Sequence, residues 1–325
     1  MSQMHSIPRR RAWGPLTAEL RSTRSPVTLF LQTRFPNRAA VQREYREQVG
    51  SIVVPDAVAA AATLGTAFDW LVRFELHSQP SLRLAILGAR TVGNWLDPAL
   101  EELAAALGAD MSQETFGVSQ FEGPAGGSQA DEDTLLRGCW ALALLTELCR
   151  SRAPGSPLLD LGFEVSGADL LNLATPDGLD VLRQLRQIAR NVLTPVFVSR
   201  SGLWALGPTF SGSRWMNADA DLIVGGLLLE NKTALGDKKK DGTRSATLDA
   251  SVLNQILGYV LLDFDDEFEI REVALFAARY SHLAVWDLQS LLDELAGHAV
   301  NLVAERAAFR ALLTRQHDVD DRQQN

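Results

Sequence analysis

The stretch Asn217-Ala-Asp219-Ala-Asp221-Leu-Ile-Val-Gly225-Gly226-Leu-Leu-Leu-Glu230-Asn231-Lys232-Thr233 decides how this chain is read. Gly225-Gly226 between two apolar runs is a two-residue hairpin signal, because the tight primed turns need positive φ. With these residues as the turn, Val224 faces Leu227. The same register sets Asp221 opposite Glu230 and Asp219 opposite Lys232. Opposed residues project to one face with Cβ atoms roughly 4.5–5.5 Å apart, and alternation gives Glu230 and Lys232 a shared face. Like charges face to face destabilise a strand pair. A divalent cation between them turns that repulsion into a binding site, since hard cations prefer carboxylate oxygens. A lysine beside it can steady a developing charge or orient a water, which is a geometry for cutting phosphodiesters. The rival reading is a solvent-facing strand pair with alternating charges. The neighbours Leu222, Ile223, Val224, Leu227, Leu228 and Leu229 oppose it. Strands apolar on both faces are buried, and charges ending such strands are costly.

Outward from the hairpin, residues 195–234 read as short strands: Val196–Ser199, Leu203–Leu206, Arg214–Val224 and Leu227–Thr233. A loop, Ala234–Arg244, carries Lys238-Lys239-Lys240. A helix follows over about Thr247–Asp263, then strands Phe268–Tyr280 and Leu283–Trp286, and a long helix Leu288–Leu313. Upstream, helices are expected at about 57–77, 81–92, 97–107, 131–150 and 177–192. Residues 109–130 are polar and glycine-rich and read as a flexible loop. The order makes an α/β fold with a sheet flanked by helices.

At 325 residues, 46% hydrophobic and 22% charged, the chain has ample material for a core, which excludes a disordered or disulfide-stapled chain. Cys139 and Cys149 lie ten apart on one expected helix, roughly 15 Å, too far to pair, so a reducing compartment is the default. The five histidines show no ligand spacing, which argues against zinc. No apolar run approaches the roughly 18 residues of a membrane span, and the N-terminus lacks a signal-peptide core. A cytoplasmic protein with no membrane partner is expected. The net charge of −9 is unevenly spread: residues 1–50 carry nine arginines against three acids, and the four lysines all lie between 232 and 240. An acidic body with focused basic segments fits a groove for nucleic acid better than a wholly basic surface.

Asp221, an apolar strand and then Glu230-Asn231-Lys232 resemble the PD-(D/E)XK nuclease superfamily. Gln255-Ile-Leu-Gly-Tyr259 resembles the Q-x-x-x-Y helix of its RecB-like and Cas4-like branch, with both polar residues on one helix face. Leu64-Gly65-Thr66-Ala67-Phe68-Asp69 resembles that branch's G-x-x-x-H helix start, but Asp69 stands where the histidine would be. Glu75 and Glu147 are rivals for the first-helix acid. The resemblance implies a restriction-endonuclease-like αβββαβ core, a mixed sheet flanked by helices, with a large helical N-terminal elaboration. The chain thus divides into a basic Arg-rich arm (1–50), read as extended from its prolines with a short helix near Ala39–Gln48, a helical region packed on the core (51–194), a nuclease-like core (195–314) and a polar tail (315–325).

The resemblance further implies a DNA-cleaving enzyme dependent on Mg²⁺ or Mn²⁺, in repair or in defence against foreign DNA. Asp221, Glu230 and the backbone carbonyl of Asn231 would ligate metal, with Asp69 and Asp219 in reserve. Lys232 would position the attacking water, and Gln255 and Tyr259 would steady the site. Lys238, Lys239, Lys240 and Arg244 would grip phosphates beside the cut. No ATP-driven motor pattern is present, so a helicase partner would be a separate chain. The alternatives are a catalytically silent DNA-binding protein of the same fold within a larger complex, and a partner-binding protein working through its helical half.

Overall fold

The computed structural model describes residues 13–109, 111, 119–123, 126–151 and 155–323. Three helices open it: α1 (Leu16–Arg21), α2 (Pro26–Arg34) and α3 (Ala39–Gln48). A helical half follows, with α4 (Ala61–Leu76), α5 (Arg83–Val92), α6 (Asp97–Leu107), α7 (Glu132–Ser151), α8 (Gly167–Leu171) and α9 (Pro176–Val198). The first strand, β1 (Ser119–Glu122), lies between α6 and α7. The remaining strands are β2 (Leu203–Leu206), β3 (Leu222–Val224), β4 (Leu227–Lys232), β5 (Asp237–Lys238) and β6 (Arg244–Ser245). Helix α10 (Ala250–Leu262) leads to β7 (Glu272–Ala277), β8 (His282–Asp287), α11 (Leu288–Ala296) and α12 (Leu302–Gln323).

Six strands form one mixed sheet in the order β1-β2-β3-β4-β7-β8, and β5 pairs with β6 in a separate ribbon. Neighbours are antiparallel except β4 and β7, which are parallel and joined through α10. Alternation along β3 and β4 divides the core into two layers. Leu222, Val224, Leu227 and Leu229 pack under α4–α9, whereas Ile223 and Leu228 pack under α1–α3 and α10–α12. Fully burying each such side chain contributes on the order of 1.5–3 kcal/mol. The molecule is a three-layer α/β arrangement, as expected, with the sheet between two sets of helices.

Five local expectations are corrected. Residues 16–35 do not form an extended arm: Leu16, Val27, Leu31 and Phe35 are buried in the α10–α12 layer, whereas the short helix expected near Ala39–Gln48 is present as α3, with Val41 and Tyr45 buried. The prolines that suggested extended chain are helix punctuation, with Pro15 capping α1, Pro26 opening α2 and Pro36 following its end. Arg9, Arg10 and Arg11 lie outside the described residues. Within 109–130, expected to be loop, Ser119–Glu122 form the sheet's edge strand β1, and much of the remainder lies outside the described residues.

Val196–Ser199 is the end of α9 and not a strand, because Phe197 continues the helix's buried stripe and meets Trp204 edge-on at 6.0 Å. The long C-terminal helix is two helices, broken at Gly297, whose φ of 78° ends α11 in a left-handed cap. Of Arg214–Val224 only β3 is strand. Residues 211–214 form a 3₁₀ turn instead. Cys139 and Cys149 are both free thiols on α7. No helix among the described residues is long and apolar enough to cross a membrane.

The hairpin turn has the expected form, with φ of 52° at Gly225 and 79° at Gly226. A Cβ at Gly225 would collide with the Ser201 carbonyl oxygen. Gly225→Val is therefore expected to cost about 1–3 kcal/mol, from backbone strain and the clash together. A lowered midpoint of urea unfolding checks this, and an unchanged midpoint would show that the turn tolerates a side chain.

Candidate active site

The hairpin register is the one read from the glycine pair: Val224 pairs with Leu227, Ile223 with Leu228 and Leu222 with Leu229. Asp221 stands one step beyond the ladder, and its carboxylate accepts the backbone N–H of Asn231 at 2.6 Å. Its carbonyl accepts from Gly207 N at 2.8 Å, which fixes the residue from both sides. Asp219 departs from the expected register. The chain bends at Ala220, whose N–H goes to the Pro208 carbonyl, and Asp219 bridges Thr209 instead of facing Lys232. Its carboxylate pairs with Arg150 of α7 at 2.6 Å.

Glu230 is the most enclosed acid of the group, its side chain only 4% exposed. Its Oε1 accepts from Lys232 Nζ at 2.6 Å and from Gln255 Nε2 at 2.8 Å. Gln255 Nε2 also donates to the Tyr259 hydroxyl at 2.7 Å, and Gln255 Oε1 lies 3.3 Å from Lys232 Nζ. The four expected side chains Glu230, Lys232, Gln255 and Tyr259 thus form one network. It exists because β4 and α10 lie in the same layer contact and the i, i+4 pair faces the strand end. Glu230 Oε2 is buried without a hydrogen-bond partner.

Asn231 points to the opposite layer, where its Nδ2 donates to Asp69 Oδ1 of α4 at 3.3 Å. Of the three rivals for the first-helix acid, only Asp69 is brought to this place. Glu75 is taken by Arg186 and Arg190 of α9 at 2.7 and 2.8 Å, and Glu147 hydrogen-bonds Thr63. The pairs formed by Glu75 are peripheral to the carboxylate group, so its role is to tie α4 to α9.

The electrostatics follow from gathering acids in a closed place. Burial first, and then Asp221 nearby, push Glu230 up to about 7 against the pull of Lys232. Burial raises Asp221, opposed by Lys232. Asp69 is held well above the usual carboxylate range by burial, then by Asp221. Burial favours the neutral form of Lys232, but Glu230 and Asp221 outweigh it and raise its pKa, so it stays a cation. Tyr259 is raised well above its ordinary value by burial and by Glu230, and remains a neutral hydroxyl.

Two arginines that the sequence reading did not single out complete the surroundings. Arg73 is buried one turn along α4 from Asp69, its guanidinium over the Trp70 ring at 5.1 Å. Asp69 and Arg73 are an i, i+4 acid–base pair, a signal that the sequence carries. Arg150 comes from the last turn of α7, and nothing local marks it.

Whether this set suits a hard divalent cation is a question of donors. Asp221, Glu230 and the Asn231 carbonyl are oxygen donors of the right class. The bare Oε2 of Glu230 and the raised carboxylates describe a place short of positive charge. Among the described residues, no group of three or more His, Cys, Asp or Glu side chains is arranged to hold a metal ion as it stands. The donors fit in kind, with Asp69 one side chain removed across Asn231. Asp219 is committed to Arg150.

The lysine run occupies the tip of the β5–β6 ribbon, which leaves the sheet directly after β4. Residues 237–243 are all exposed. Its base is held by the Tyr280 hydroxyl donating to Leu235 O at 2.7 Å and by Arg244 Nη1 donating to Gly236 O at 3.1 Å. Arg244 is therefore partly a structural anchor of the ribbon that presents Lys238, Lys239 and Lys240. No protein-family model, curated protein or solved structure matches this chain.

Proposed function

We propose that this protein is a metal-dependent nuclease of the PD-(D/E)XK type that hydrolyses phosphodiester bonds in DNA. The observation that carries the reading is the sharing of Glu230 Oε1 by Lys232 and Gln255, beside Asp221 on a buried hairpin. A stability role alone does not explain it, since gathering Asp69, Asp221 and Glu230 raises all three above their ordinary values. Such clusters of perturbed acids in one place are the mark of a working site. The order β2-β3-β4, α10, β7, with β4 and β7 parallel, is compatible with an αβββαβ nuclease core.

Asp221, Glu230 and the Asn231 carbonyl would hold Mg²⁺ or Mn²⁺. Such an ion polarises a phosphoryl oxygen and makes water a better nucleophile. The protein's own residues do the rest. Lys232, protonated and 2.6 Å from Glu230, offers its remaining N–H groups to water or to a phosphate oxygen. Gln255 locks Glu230 and Lys232 in register, and Tyr259 holds Gln255.

Purified protein incubated with supercoiled, linear and single-stranded DNA and with RNA, in Mg²⁺ or Mn²⁺, tests the reading. Metal-dependent cutting that Asp221→Asn abolishes would support it. Metal binding without cutting of any substrate would mean an intact site that needs a partner or another substrate, and neither metal binding nor cutting would overturn the catalytic reading and leave the silent DNA-binding one.

The ribbon gives a separate expectation. Each phosphate contact contributes about −0.9 to the slope of log affinity against log salt on duplex DNA. Replacing Lys238, Lys239 and Lys240 together by alanine should reduce that slope by up to about 3, uniformly across sequences. An unchanged slope would remove the ribbon from the interface.

A further inference from the structure

Resting on that reading, we propose that Arg150 is a substrate-phosphate contact, kept in reserve by Asp219 and delivered to the site by the helical half. Four acids, Asp69, Asp219, Asp221 and Glu230, surround the strand ends with three cations, Lys232, Arg73 and Arg150. The cations differ in what they can reach. Arg73 is buried against Trp70 and Gly207. Lys232 is engaged by Glu230 and Gln255, its side chain 32% exposed. Arg150 is the most open, its side chain 46% exposed, and among the described residues its ion pair is the 2.6 Å contact to Asp219, itself 35% exposed.

Arg150 is nonetheless part of the site. Its partner Asp219 stands two residues before Asp221, whose carboxylate holds the Asn231 N–H, so the guanidinium is tied to the segment that carries the site. Arg150 therefore stands at the mouth of the carboxylate group, on the side opposite the β4–α10 layer that supplies Lys232.

An ion pair between half-exposed side chains is worth little, roughly 0–1 kcal/mol, so exchanging its partner costs little. A phosphodiester oxygen is a better partner for a guanidinium, whose planar fork matches two oxygens at once. Asp219 acts as a placeholder that keeps the fork near the site until phosphate arrives.

The test is fluorescence anisotropy of a short labelled DNA duplex and of its single strand, with Ca²⁺ present, as salt is varied. Arg150→Gln should weaken binding about tenfold or more and lower the salt slope by about 1, with thermal melting unchanged. Arg150→Lys should recover part of the affinity. Asp219→Asn should tighten binding, because it releases the guanidinium. Unchanged affinity in Arg150→Gln would overturn the proposal, as would Asp219→Asn weakening binding as much as Arg150→Gln does, which is the behaviour of a structural pair. Failure of the wild-type protein to bind either probe would instead sink the nucleic-acid reading itself, and Arg150's role with it.

Discussion

Lys232→Ala is expected to lower DNA cleavage by about 10²–10³-fold while leaving the fold and the affinity for DNA nearly intact. The magnitude is that of removing one preorganised donor aimed at developing charge. Lys232 Nζ sits 2.6 Å from Glu230 Oε1 and 3.3 Å from Gln255 Oε1, so its position is set before substrate arrives. Its truncation also removes the cation that restrains Glu230, which then rises further above about 7 and is less available as an anion at neutral pH. Arginine is a poor substitute, since the longer planar head cannot occupy the space of the ammonium between Glu230 and Gln255. Steady-state cleavage should therefore show a lower kcat with KM little changed, the signature of an interaction made in the transition state. Activity within tenfold of wild type in Lys232→Ala would remove the lysine from the chemistry.

Glu230→Gln should make the metal-free protein more stable above neutral pH, although it destroys the proposed activity. The folded-state value of Glu230, about 7, lies above its ordinary 4.5. A raised acid binds its proton more tightly when folded. Its contribution to stability is fully present below about 4.5 and is lost as pH rises through about 7. The physical cause is burial beside Asp221, which glutamine relieves by carrying no charge. Melting curves in EDTA should show wild type losing stability from pH 5 to pH 8. Glu230→Gln should match it near pH 5 and exceed it near pH 8. The slope left in the variant comes from Asp69 and Asp221, raised in the same direction along with Glu147 and Asp263, and is opposed by the lowered His77 and His282. A variant less stable than wild type at pH 8 would mean that the Lys232 and Gln255 bonds outweigh the burial of charge.

How much of this was legible in the sequence depended on how local the signal was. The hairpin was readable to the residue because a glycine pair needing positive φ fixes both turn and register. Gln255 and Tyr259 were singled out only through the resemblance to a Q-x-x-x-Y helix taken together with the hairpin, since i, i+4 spacing alone fits ordinary helix surface equally well. Asp69 could be proposed but not chosen over Glu75 and Glu147, since the choice lies in how α4 packs on β4. Asp219 was misplaced because the register was extended past Leu222, where the chain leaves the ladder. Arg150 was invisible, its partner lying 69 residues away in sequence. Residues 16–35 were misread as extended because prolines that start and stop short helices also occur in extended chain, whereas the proline-free helix at Ala39–Gln48 was legible.

The alternation along β4 has a consequence for how the molecule can be taken apart. Glu230 and Lys232 belong to the layer of α10, Asn231 reaches into the layer of α4, and Arg150 arrives from α7. Ownership of the chemistry is thus divided among neighbours that are distant along the chain. A proteolytic fragment holding only the hairpin and α10 retains the sequence motif but loses Asp69, Arg73 and Arg150. Integrity of both layers is the condition for a complete set of charges, so the proposed site would be assembled only in the whole molecule.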